Sequence, residues 1–128
     1  MLEYDPASPP DPDAWLEADE GIRIMAVETW HRRHHVEIPN AKLHAVVHTI
    51  VENQIAGTLD PVVRAMARLA GEGLTRHDAL HAVGSVLALH LHEMLAKPSD
   101  ESSETTNARY LAAVERLTAK AWLDQEGG

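Results

Sequence analysis

Between Asn40 and Gln54 the chain reads NAKLHAVVHTIVENQ, which sets His44, His48 and Glu52 four residues apart on an apolar background. At about 1.5 Å rise and 100° per residue, that interval stacks side chains along one slowly drifting stripe of an α-helix. RHDALHAVGSVL repeats the interval with His77 and His81. Two helices that each carry such a pair can face one another and offer four imidazoles to a shared point. Neutral imidazole is a ready ligand for a transition-metal ion. Upstream, Glu28 and His31 in AVETWH have the Glu-x-x-His interval with which carboxylate-rich metal bundles aim two ligands at one centre. The candidate metal ligands are therefore His44, His48, Glu52, His77, His81, Glu28 and His31.

Five imidazoles and two carboxylates on three helices could hold two ions about 3.5–4 Å apart. A dinuclear iron centre leads among the cofactors because carboxylates accompany the histidines, with zinc, nickel, copper or manganese as alternatives. His44 and Glu52 lie ~12 Å apart along an ideal helix, so either two ions are bound or one of these residues only orients a ligand. An open coordination position would permit oxygen-related redox chemistry or metal-assisted hydrolysis, but the residue types specify no reaction. The competing reading is a non-enzymatic interaction or dimerisation module, with the polar stripe as a buried His/Glu hydrogen-bond network.

Named motifs carry less. HDALH imitates H-E-x-x-H with an Asp too short to reach a zinc-bound water well, and the His77-Asp78 dyad lacks the partner residues of a phosphohydrolase. His34 and His35 fall in a polar turn and are expected to be exposed. His90 points about 180° away from His81, while His92 shares its face but lies ~16 Å along, so both read as surface or interface residues. Trp15, Trp30 and Trp122 read as packing anchors.

These residues need helices to position them. Residues 1–12 contain Pro6, Pro9, Pro10 and Pro12 and read as an extended N-terminal arm, with function expected elsewhere. Residues 13–97 read as a His-rich bundle. Asp13 is the expected cap of a short helix before Gly21, and a second helix runs from about Glu20 to Arg33 with Ile22, Met25, Ala26, Thr29 and Trp30 as its apolar face. Asn40 is the expected N-cap of a helix over 41–56, with Leu43, Val47, Ile50, Val51 and Ile55 as core and Gly57 as its C′ residue. Asp60-Pro61 opens a short helix closed by Gly71 and Gly73. Thr75 and Asp78 form a capping box for a helix from Arg76 to the stop at Lys97-Pro98. An acidic linker is expected over 98–106, and a last helix from about Asn107 to Asp124 within 107–128. No stretch alternates as a strand does, so the expected class is all-α, an antiparallel helical bundle of four to five helices.

Composition bounds the rest. In 128 residues, 45% are hydrophobic and none is Phe or Cys, which implies one domain with an aliphatic core and no thiolate ligands. A net charge of −9 disfavours nucleic acid and anionic membrane as partners. The expected location is the cytoplasm, and a homo-oligomer is compatible with the pattern.

The runs PNAKLHAVVHTIVENQIA and LTRHDALHAVGSVLALHL resemble the small bacterial proteins grouped as domain of unknown function 1841, over roughly residues 13–96. That resemblance implies a helical fold and no assigned activity. The ligand inventory is also similar to the hemerythrin-like bundles, whose middle pairs His48-x3-Glu52 and His77-x3-His81 match, but the final His-x4-Asp has no counterpart at His90 or His92. The resemblance therefore implies the metal-holding scaffold more than reversible dioxygen carriage.

Overall fold

Asn40 begins the central helix as its side chain accepts from the Leu43 amide at 3.2 Å, and it does so with φ +55°, a left-handed conformation that Asn tolerates. The computed structural model describes residues 2–34, 40–96 and 102–127, and all regular structure among them is helical. In chain order the helices are α1 (Pro12–Glu17), α2 (Glu20–Arg33), α3 (Ala41–Ala56), α4 (Asp60–Gly71), α5 (Arg76–Ala96), α6 (Ser103–Arg116) and α7 (Ala119–Gly127). The all-α class is as expected; the count of seven among the described residues exceeds the four to five expected. Helix α3 is the hub, packed against α1, α2, α4 and α5, while α6 lies on α4 and α5.

Two apolar cores form on either side of α3. The larger joins Val47 and Val51 to Val62, Leu69, Leu80 and Val83, and reaches Tyr110, Val114 and Trp122. The smaller joins Tyr4, Trp15, Ala26, Val27 and Ala45. Because helices cover it on several sides, α3 also buries His48, Thr49 and Glu52, whereas Leu43, expected in the core, is 50% exposed. On α2 the inward strip is Ala26, Val27 and His31, flanked by the partly buried Ile24 and Trp30, with Ile22 and Met25 left in solvent. Gly84 allows the approach of α3 to α5, since a Cβ there would sit 3.3 Å from Val47 Cγ1.

Several boundaries follow local chemistry that differs from expectation. Asp11, not Asp13, caps α1, accepting from Ala14 N at 3.0 Å with Pro12 in the first turn. Helix α4 begins at Asp60 with Leu59 as N-cap, one residue earlier than expected. The last helix is two: α6 starts early because the Ser102 hydroxyl accepts from Thr105 N, within the stretch expected as linker. It ends at an extended Leu117, where Arg68 binds the carbonyls of Val114 and Leu117. Thr118 then caps α7, and Glu72 accepts from Ala119 N at 2.7 Å. Helix α3 ends with Gly57 at φ −82° as C-cap, and the left-handed C′ residue is Thr58 at φ +56°. Leu59 N bonds Gln54 O and Thr58 N bonds Ile55 O, the paired bonds of a Schellman motif.

Helix α5 is long and apolar enough to cross a membrane by length and composition alone, with a mean hydropathy of 1.2. Here it packs against α3, α4, α6 and α7 within the bundle.

Candidate metal centre

Three helices bring His31 (α2), His44 and His48 (α3) and His81 (α5) together, with one ligand nitrogen from each lying within 4.8 Å of every other. Ligands at 2.0–2.1 Å around a tetrahedral ion stand about 3.3 Å apart. The pair His31 Nε2 and His44 Nε2 is already at 3.2 Å, and the widest pair needs to draw in by roughly an ångström and a half to match.

The protons on these rings follow from their partners. His31 Nδ1 donates to the Val27 carbonyl at 2.9 Å, one turn back on α2, which leaves its Nε2 with a bare lone pair directed at His44. For His48 the chain of reasoning starts at Arg76, the first residue of α5, which binds both oxygens of Glu52 at 2.8 Å and holds it as a carboxylate. The Tyr4 hydroxyl gives its single proton to that carboxylate at 2.5 Å, so its oxygen must accept from His48 Nε2–H at 2.7 Å. His48 Nδ1 is then unprotonated, buried and without a hydrogen-bond partner. His81 Nε2 is likewise buried and without a hydrogen-bond partner. A buried polar atom left unpaired costs about 1–3 kcal/mol, and an ion in the centre of the cluster would satisfy both nitrogens. The residues present therefore fit a metal ion, with the carboxylate–tyrosine pair behind His48 orienting it as carboxylates commonly orient metal-bound imidazoles.

All of these imidazoles are held neutral. Burial, then repulsion from the neighbouring histidines, lowers His48 to about 2 and His44 and His81 to about 4. His31 and His77 are lowered as well, again chiefly by burial. Neutral imidazole is the form that binds a cation. Burial and the Glu52 carboxylate push the Tyr4 hydroxyl far up, so it stays a proton donor.

Of the seven sequence candidates, four make the cluster. His77 stands beside it, with its ring 4.3 Å from that of His81 and its Nε2 unpartnered, but outside the group of four. Glu52 is 0% exposed and fully engaged by Arg76 and Tyr4, so it supports His48 and does not reach the cluster centre itself. Glu28 is turned to the surface, where it pairs with Lys42 at 3.0 Å. His34 is exposed and stacks on Trp30 at 4.1 Å, as expected of the turn; His35 lies outside the described residues. His90 rests against Tyr110, and His92 is exposed. Trp15 is a packing anchor, fully buried, with its indole nitrogen donating to Asn53 at 2.9 Å.

Sequence reasoning missed Tyr4 and Arg76. The arm expected to be bystander chain buries Tyr4 and Pro6, and the Pro6 carbonyl accepts from Arg76 at 3.1 Å. Tyr4 has no periodic neighbours that could have announced it. Arg76 did carry a signal: a cation in the first turn of a helix opposes the helix dipole and calls for a specific acid, which Glu52 supplies. Compared with known proteins, the chain matches no protein family, no curated protein and no solved structure.

Proposed function

We propose that this protein binds a single transition-metal ion through His31, His44, His48 and His81. The observation that carries the reading is the pair of buried, unpartnered nitrogens on His48 and His81 within a group of four converging imidazoles. The carboxylates that motivated a dinuclear iron centre, Glu28 and Glu52, are occupied by Lys42 and Arg76. An all-imidazole donor set suits zinc, nickel, copper or iron and is a poor match for manganese, which prefers oxygen. One borderline ion is thus favoured over an iron pair, and the hemerythrin-like use of Glu52 as a ligand loses its footing.

Elemental analysis of protein purified without a His tag tests this, with the molar ratio compared between wild type and the His48→Ala, His81→Ala double variant. About one zinc, nickel or copper per chain, lost in the variant, is the expected result. Near two irons per chain would restore the dinuclear reading, and no metal in wild type even after reconstitution would overturn both. A second reading, an interaction module, draws on Leu89, Met94 and Leu95 near the end of α5, which are 57%, 46% and 83% exposed. Unchanged metal content with altered oligomer size in the double variant would favour it.

A further inference from the structure

A cavity of about 380 Å³ opens between α3, α5 and α7, and three of the four cluster residues, His44, His48 and His81, line it. His31 does not, so a small molecule in the cavity would meet the cluster on the side of His44, His48 and His81. Leu43, Val47, Leu80, Ala88 and Trp122 make most of the remaining wall, with Asn40 and Ser85 as polar side chains besides the histidines. The volume is more than twice that of a cavity known to hold benzene and falls at the small end of ligand sites.

Charge decides what would enter. Four neutral imidazoles bring no negative charge to a divalent ion, no Asp, Glu, Lys or Arg lines the cavity among the described residues, and the nearby Glu52 is neutralised by Arg76. A divalent ion there keeps its full charge in a poorly solvated place, and an anionic head would offset it. Building on the metal-binding reading above, we infer that the cavity admits a small monocarboxylate with an apolar body, its carboxylate toward the ion and its body between Leu80 and Trp122.

The test uses the full chain loaded with cobalt(II), whose visible absorption reports changes in its ligands, titrated with phenylacetate, acetate and the uncharged phenylacetamide. Phenylacetate should bind ten- to hundredfold more tightly than acetate, the gain expected from burying a ring-sized apolar body, and phenylacetamide should leave the spectrum unchanged. Ala88→Trp, at an exposed position on the cavity wall, should abolish the preference for phenylacetate and spare acetate. Leu43→Glu at the half-exposed mouth should weaken both anions, and Leu43→Lys should strengthen them, without touching the core. Bound cobalt with equal affinity for phenylacetate and acetate, or a response to phenylacetamide, overturns the inference and leaves the metal site standing. Failure of cobalt to bind removes both.

Discussion

Acidifying the metal-free protein from pH 7 to pH 5 should strip away a large part of its stability, because three imidazoles that charge freely in the unfolded chain resist charging in the fold. His44 and His81 are lowered to about 4 and His48 to about 2 from an ordinary value near 6.5. A folded value below the unfolded one means that the unfolded chain binds more protons, so stability falls as pH drops through 6.5 and goes on falling until the folded values are reached. Integrated from pH 7 to 5, each such histidine contributes a loss of roughly 2 kcal/mol, and the three together on the order of 5 kcal/mol. That approaches the whole stability of an ordinary domain, about 5–15 kcal/mol. His31 and His77 act in the same direction. Relief of self-repulsion, as the −9 chain nears its pI of about 5.4, acts the other way.

The assay is urea unfolding followed by far-ultraviolet circular dichroism after exhaustive chelation, at pH 7, 6 and 5. With an m-value of about 2 kcal/mol/M the midpoint should fall by roughly 2–3 M over that range. His44→Gln should remove between about a fifth and a third of the slope, since one of the histidines that resist charging is gone. A midpoint that moves by less than about 0.5 M between pH 7 and 5 would show that the imidazoles are already solvated or protonated in the fold, and the account of the cluster would be wrong.

Tyr4→Phe should leave the fold intact and weaken metal binding about 10- to 100-fold in competition with a chelating dye, because His48 loses the oxygen that holds its Nε2 proton; unchanged affinity would mean the relay has no influence. Glu52→Ala should cost about 3–5 kcal/mol in denaturant unfolding by stranding the mostly buried Arg76, while replacing the pair by Leu and Met should recover much of it. Thr58→Gly should raise stability by about 1 kcal/mol in the same assay, as a β-branched residue is relieved of φ +56°; a neutral or negative result would show that this turn is not under strain.

How much of this was legible in the sequence depended on whether the determinant was local. Asn40 and the Thr75–Asp78 box act on the backbone within three residues, and both helices they start were placed correctly. The same holds for Gly73, which takes φ +103° at the end of α4. At the end of α3 the rule misled, because the motif set its left-handed residue one position later, on Thr58, against the preference of that residue. The histidines were legible by interval, since the face of a helix is a local property. Which face of α2 turned inward was not, because Ile22 and Met25 are as apolar as the residues that were buried and only the fit to α3 distinguished them. The two carboxylates looked alike on paper. Their different fates come from Arg76 and Lys42, which are 24 and 14 residues away in sequence.

The Tyr4–Glu52 contact joins residues 48 apart in the chain. Trp15, whose indole donates to Asn53 of α3, lies between them in the chain and stands 5.5 Å from the Tyr4 ring, so the docking of α1 shortens the loop that the arm must close. The first residues of the chain thus decide which nitrogen of His48 is left bare, so a ligand carried by α3 is set by a segment that belongs to none of the three helices supplying the imidazoles.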